Sequence, residues 1–303
     1  MSLVLAHIGG AFAPLELLPL TVAGFLYWKR ATTLAWDGRP VPRWRQACFG
    51  AGLATIAVSL FSPVGHISEE LVIAHMAEHL LIGDIAALLL VLGLTRSLLQ
   101  PLLAIRVFDR LQFLAHPAVA LPLWGLNLFV WHIPALYQDA YGAAPIHAFE
   151  HATFLFFGCL MWMPAFGPLP KPDWFGAGWK VAYVIAVRFT GAILGNVLMW
   201  SGSVLYPIYA PGERYWGISP LADQGTAGVV MMVEGTFLVL GALAWVFFEV
   251  AREGTEKQRL LDLARERGVP LDERRARRAV AAGHGTLLEE RLEAAAGRGP
   301  AGD

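Results

Sequence analysis

The chain has 303 residues, of which 56% are hydrophobic and only 16% are charged, and its formal net charge is -1. Soluble domains carry about 25% charged residues, so this composition excludes an ordinary water-soluble domain of this size and favours a chain surrounded mainly by membrane lipid. Because there is no basic excess, nothing indicates nucleic-acid binding.

Long apolar segments, separated by short loops, predict membrane-spanning helices. An α-helix rises about 1.5 Å per residue, so each span needs roughly 20 mainly apolar residues. The segments that meet this requirement are residues 11–28, 46–62, 71–95, 117–134, 146–165, 180–201 and 225–250. The predicted fold class is therefore all-α, a polytopic membrane bundle of about seven transmembrane helices within residues 1–251.

Basic residues are concentrated in every second loop, and this alternation predicts the orientation of the bundle. The loop after the first span contains Arg39 and Arg43, and the loop after the third contains Arg96. The intervening loops carry acidic residues with Arg214 as their one base, and they are residues 63–70, 135–145 and 202–224. Because basic loops stay in the cytoplasm, the N-terminus is predicted outside and the C-terminus inside.

The character of the chain changes after the last apolar segment. Residues 252–303 are densely charged with both signs, and leucines such as Leu260 and Leu288 recur with the spacing of short amphipathic helices. Gly268 and Pro270 interrupt this pattern. We predict a charged cytoplasmic tail that is partly helical and partly disordered, with the disorder in its last residues.

Two pairs of histidines have the spacing that places both rings on one helix face. His75 and His79 lie in the third predicted span, four residues apart. His147 and His151 repeat this spacing in the fifth span, which runs antiparallel to the third. At 1.5 Å per residue, both pairs fall within roughly 5–12 Å of the outer membrane boundary. Burying four imidazoles at this depth has no evident benefit without a bound group, so they predict a metal or heme site.

Neighbouring side chains supply further candidate ligands. Those predicted at the same depth are Met76, His132, Glu150, Met231 and Met232. Imidazole together with thioether suits Cu(I), whereas imidazole together with carboxylate suits zinc or iron. Both combinations are present, so the residues by themselves leave the metal open.

Two charged residues are predicted deeper in the membrane. Asp84 and Arg188 each lie about two to three turns inside a span. A charged side chain at the centre of a span costs about 2.5–3.5 kcal/mol on insertion scales, so both need a partner. We predict an intramembrane ion pair between them that fixes the bundle, with a polar path as the alternative.

Five segments, in their order along the chain, resemble the CtaG-type assembly factors of caa3 cytochrome c oxidase, which are seven-span membrane proteins. The segments are HMAEHLL at 75–81, WHIPALY at 131–137, HAFEH at 147–151, LYPIYA at 205–210 and SPLADQGTAGVVMM at 219–232. The resemblance implies a multi-pass protein of the bacterial plasma membrane that helps to mature the oxidase and supplies copper to it, with oxidase subunits as partners. The positions carried over from the family are His75, His79, His147, His151, Asp223, Gln224, Met231 and Met232.

Other interpretations stay open. Both histidine pairs fit H-x-x-E-H, in which two histidines bind zinc and the glutamate acts as a general base, so an intramembrane metalloprotease is the enzyme alternative. A b-type heme protein, with histidines from facing helices as axial ligands, is another. A metal-free scaffold that docks oxidase subunits through its spans and tail is the last. We expect an assembly factor or metallochaperone rather than an enzyme, and the oligomeric state stays open.

Overall fold

A computed structural model describes residues 14–172, 174–281 and 284–297. Within these residues every regular element is a helix, which confirms the all-α prediction. Helices α1 to α8 are Pro14–Trp36, Arg43–Phe61, Pro63–Ile67, Val72–Leu80, Ala87–Gly93, Arg96–Leu103, Arg106–Leu111 and Pro117–Trp131. Helices α9 to α15 are Pro134–Gly142, Ala144–Phe166, Ala177–Trp200, Ala210–Trp216, Pro220–Glu266, Glu273–Ala281 and Gly285–Gly297. Short 3-10 turns occur at Gln112–Ala115 and Pro207–Tyr209.

The helix that carries the first histidine pair contains a π-helical segment. α4 continues through Leu81–Ala86, which is π-helical, into α5, and together they form one helix of 22 residues, Val72–Gly93. A π segment adds one residue to each turn and often lies at a functional site. Here it begins two residues after His79 and contains Asp84, so the helix is irregular at Asp84 and directly after the histidine pair.

Three helices of the described chain are individually long and apolar enough to cross a bilayer, namely Val72–Gly93, Ala177–Trp200 and Pro220–Glu266. A fourth span results if Arg106–Ala115 and Pro117–Trp131, which meet at 80°, cross the membrane as one bent unit. Seven spans therefore remain a prediction.

The other predicted spans are helical over most of their length but do not meet this criterion. α8 has only 15 residues, which is about 22 Å of helix against the roughly 30 Å of a bilayer core. α10 has 23 residues, and its apolar character is lowered by the second histidine pair and Glu150. Part of the first predicted span, residues 11–13, lies outside the described residues.

Packing divides the chain into a first unit that ends at Val239 and a second unit that begins at Leu240. The first unit is organised around the helix Val72–Gly93, which packs against α2 and α10. It comes very close to α10 at Gly158, where an added Cβ atom would lie 1.9 Å from the carbonyl oxygen of Gly83. Small residues allow two helix backbones to come this close. The contact thus sets the spacing between the two helices that carry the histidine pairs.

The second unit is a small helical assembly built on the end of α13. Its core consists of Leu260, Ala264, Val280, Leu288 and Leu292, all at most 8% exposed. Lys257 forms an ion pair with Glu273 at the start of α14, with 2.6 Å between the charged atoms. α13 ends before Gly268, whose φ of 65° is in the left-handed region that favours glycine. The predicted break therefore coincides with a helix end, while the last residues, 298–303, lie outside the described part of the chain.

Candidate metal centre

The two histidine pairs lie together between α4 and α10, as the sequence predicts. The ring centroids are 4.2 Å apart for His75 and His79 and 4.3 Å apart for His147 and His151. Across the two helices, His75 stacks on His147 at 5.4 Å and His79 meets His151 edge to face at 5.2 Å. The four imidazoles therefore form one compact cluster, which we call the histidine cluster.

Two glutamates join the histidine cluster in a crossed arrangement. Glu150 of α10 groups with His75, His79 and His147, with one ligand atom of each residue within 4.8 Å of the others. Glu78 of α4 groups in the same way with His147 and His151 of α10. Each H-x-x-E-H segment thus places its carboxylate among histidines of the other helix, and His147 belongs to both groups.

The histidine cluster is buried on α4 and half-buried on α10, and several of its buried polar atoms make no hydrogen bond. His75, His79 and Glu150 are at most 4% exposed. The buried atoms that make no hydrogen bond are Nε2 of His75, His147 and His151, both ring nitrogens of His79, and Oε1 of Glu150. An unsatisfied buried donor or acceptor costs about 1–3 kcal/mol. A metal ion bound by these nitrogens and oxygens would remove this cost, so the donor set fits a metal site.

Two further predicted positions are buried hydrogen-bonding residues rather than members of the histidine cluster. Asp223, at the start of α13, accepts hydrogen bonds from the backbone N–H groups of Val72 at 2.7 Å and Ile73 at 3.0 Å. These are the first residues of α4, so Asp223 satisfies donors that a helix N-terminus leaves without partners. Gln224 accepts from the backbone N–H of Leu205 at 2.8 Å and donates to the carbonyl oxygens of Leu198 and Ser203. Both side chains are 1% exposed.

Three tyrosines from the predicted outer loops pack beside the histidine cluster, and the sequence analysis assigned them no role. Tyr137, Tyr206 and Tyr209 are at most 2% exposed. The Tyr137 ring lies 5.0 Å from the His75 ring and stacks on Tyr206 at 4.0 Å. The hydroxyls of Tyr137 and Tyr209 share a hydrogen bond of 2.9 Å. The sequence does contain a feature that points to these tyrosines, because all three belong to the WHIPALY and LYPIYA segments that carry the family resemblance.

Of the predicted methionine ligands, one faces His132, one lines a cavity and one contacts α11. The Met76 sulfur lies 3.3 Å from Nε2 of His132. The other ring nitrogen of His132, Nδ1, is hydrogen-bonded to the Leu128 carbonyl oxygen. Met231 is 8% exposed and lines a cavity beside the histidine cluster. The Met232 sulfur accepts from Arg188 and from the Asn196 amide, each at 3.7 Å. The Met232 sulfur therefore contacts two residues of α11.

The predicted ion pair between Asp84 and Arg188 does not form within the described chain. Arg188 instead donates to the Met232 carbonyl oxygen at 3.2 Å and to the Thr236 hydroxyl at 3.1 Å. Both residues line the same cavity, together with Glu234 of α13. A backbone carbonyl satisfies a guanidinium without requiring a second buried charge, which explains the difference. Glu234, like Asp84, is an ionisable residue inside a long apolar segment. The criterion that singled out Asp84 in the sequence therefore applies to Glu234 as well.

Comparison with known proteins identifies one family. The family model described as cytochrome c oxidase caa3 assembly factor matches residues 23–253, about three quarters of the 303-residue chain. The match includes all five segments that carry the resemblance, and it confirms that resemblance. No curated protein and no solved structure gives a match.

Proposed function

Because this chain belongs to the family of cytochrome c oxidase caa3 assembly factors, we propose that it binds copper at the histidine cluster and delivers the ion to cytochrome c oxidase. The observation that carries the proposal is the set of buried imidazole nitrogens and one Glu150 oxygen without hydrogen bonds. Copper is here the cargo rather than a resident cofactor.

The donor chemistry of the histidine cluster supports transfer of a bound ion. Imidazole suits copper in either oxidation state, and the Glu150 carboxylate offsets the charge of the ion in a buried site. His147 belongs to both ligand groups, so an ion held by one group can exchange into the other without leaving the protein. Ligand exchange of this kind is the step that a copper-delivering protein needs.

The proposal includes the membrane arrangement. We place the protein in the bacterial plasma membrane with seven spans, the N-terminus outside and the tail in the cytoplasm, as the alternating loop charges indicate. The histidine cluster then lies near the outer surface, where an oxidase subunit can receive the ion.

A copper measurement on purified protein tests the proposal. Wild-type protein is expected to retain copper, whereas the double variant His79→Ala with His151→Ala loses one residue from each ligand group and is expected to retain little. His284→Ala, which changes a histidine of the second unit, is the matched control and is expected to keep the wild-type copper content. Equal copper in wild type and double variant would remove the assignment.

The crossed glutamates favour a second candidate, an H-x-x-E-H zinc metalloprotease, because each carboxylate lies within 4.8 Å of histidine donors on the other helix. Zinc-dependent cleavage of a membrane substrate that disappears in Glu150→Gln, with zinc content unchanged, would establish this function.

A further inference from the structure

A cavity of about 60 Å³ lies inside the first unit, next to the histidine cluster. A buried water needs roughly 10–15 Å³ of such space, so the cavity has room for several waters or for one metal ion with its ligands. Its wall includes residues of α4, α8, α10, α11 and α13. His79 belongs to this wall and also to the histidine cluster.

Methionine is concentrated around the cavity. Met76, Met161 and Met231 line it, which is three of the seven methionines in the chain. The wall contains 19 of the 303 residues, so an even distribution would place fewer than one methionine there. All three are buried, with exposed fractions of 1%, 0% and 8%. The wall therefore offers thioether sulfur, the donor that the histidine cluster lacks.

One of these sulfurs already faces an imidazole nitrogen. The Met76 sulfur and Nε2 of His132 are 3.3 Å apart, and His132 is 7% exposed. The Leu128 carbonyl oxygen lies 2.8 Å from Nδ1 of His132, so it accepts a hydrogen bond from a protonated Nδ1. In that tautomer Nε2 carries a lone pair and is free to bind a metal. A thioether and an imidazole at this separation are a soft ligand pair.

The wall also carries oxygen donors. Asp84 and Glu234 supply two carboxyl groups beside the guanidinium of Arg188. Arg188 is held by the Met232 carbonyl oxygen and the Thr236 hydroxyl, and the buried Oε1 of Glu234 makes no hydrogen bond. A carboxyl group beside a bound cation can release its proton and offset the charge of the ion.

We propose that this cavity is a second metal site, selective for Cu(I), in which Met76 and His132 are ligands and Met161 and Met231 supply further sulfur. Cu(I) passes between this site and the histidine cluster through His79, which borders both. This inference rests on the proposed function for the identity of the cargo, and it goes further by separating the soft donors from the imidazole and carboxylate donors. No bond other than metal–ligand bonds forms or breaks in the exchange.

The test uses the full-length protein, purified in detergent and titrated with Cu(I) under anaerobic conditions. Wild type is expected to bind two equivalents, and X-ray absorption at the copper edge is expected to detect sulfur scatterers. The double variant Met161→Leu with Met231→Leu is expected to bind the sulfur-associated equivalent at least tenfold more weakly. Leucine and methionine have similar volumes, so these changes leave the fold intact. Met163→Leu is the matched control, because Met163 lies two residues from Met161 on α10 and does not line the cavity.

The possible outcomes separate this inference from the proposed function. One equivalent of copper without sulfur scattering in wild type would overturn the second site and leave the proposed function standing. Two equivalents with unchanged sulfur scattering in the double variant would overturn the methionine assignment. Wild type that binds no copper would overturn the proposed function, and the second site with it. Weaker sulfur scattering in the double variant, reduced to the contribution of Met76, with the histidine-cluster equivalent retained and Met163→Leu unchanged, supports the inference.

Discussion

The carboxylate of Asp223 accepts a hydrogen bond of 2.7 Å from the backbone N–H of Val72, across 151 positions of sequence. It thereby joins the start of α13 to the start of α4. The axial position and rotation of α4 determine where His75 and His79 lie, so this bond controls the geometry of the histidine cluster from outside it.

We predict that Asp223→Ala lowers stability and weakens copper binding together. Loss of an N-terminal cap costs about 0.5–2 kcal/mol, and α4 is then free to shift. Asp223→Asn keeps one acceptor oxygen and is expected to lose less. Thermal unfolding in detergent and a Cu(I) competition titration measure both effects. Asp139→Ala changes an exposed carboxylate of α9, and an equal loss in that variant would contradict the role of the cap.

Gly158→Ala is expected to disrupt the spacing of the two histidine helices. Its new Cβ atom would collide with the Gly83 carbonyl oxygen, a backbone atom that cannot rotate away. Overpacking of this kind costs about 1–3 kcal/mol, and moving α10 outward separates His147 and His151 from their partners. Unfolding temperature and copper stoichiometry are the measurements. In Gly142→Ala, where an added Cβ meets nothing within 4 Å, both should remain at wild-type values.

The crossed glutamates lead to a prediction about metal preference. Glu150→Gln removes a hard oxygen donor from the group with His75, His79 and His147. We expect at least a tenfold loss of zinc affinity and a smaller loss for Cu(I), because Cu(I) depends less on oxygen ligands. Competition with chelators for each metal measures this difference, with the tail variant Glu293→Gln as control. An equal loss for both metals would show that Glu150 acts through the fold rather than as a donor.

Glu213, in the short helix α12 outside the predicted spans, gives a prediction about pH. It is 1% exposed, and burial, assisted by the nearby charge of Asp223 and opposed by Arg214, raises its pKa above the usual value. A carboxyl group whose pKa is raised on folding leaves stability unaffected below its unfolded pKa, and its ionisation lowers stability as pH rises through the window between the two values.

Glu213→Gln is therefore expected to raise the unfolding temperature at pH 7 and to have little effect near pH 4. Unfolding curves at several pH values measure this. The exposed Glu69→Gln serves as the control. A stabilisation that is the same at pH 4 and pH 7 would mean that the effect does not arise from ionisation of Glu213.

The second unit allows the copper role to be separated from a docking role. Leu260 is fully buried in the core of that unit, and Leu260→Ala is expected to destabilise it by about 2–5 kcal/mol. Copper content should remain at the wild-type level, because the histidine cluster lies in the first unit. A fall in cellular oxidase content under these conditions would indicate that the tail itself contacts the oxidase. Loss of copper in this variant would contradict the assignment of copper binding to residues of the first unit alone.

The sequence by itself determined the local features of this protein. The long apolar segments predicted helices, and the helices are there. The four-residue spacing of His75 with His79 and of His147 with His151 placed each pair on one helix face, because a helix repeats every 3.6 residues whatever packs around it. The antiparallel order of spans then predicted that the two pairs meet, and they do.

Only the tertiary structure decided which side chains share a site. Glu150 joins histidines of α4, Met76 faces His132, and Arg188 turns to the Met232 carbonyl oxygen instead of Asp84. These pairings depend on how far each helix is rotated about its own axis and on how closely α4 and α10 approach at Gly158. Rotation and approach are set by contacts between residues distant in sequence, and a local pattern of apolar and polar residues contains no information about them.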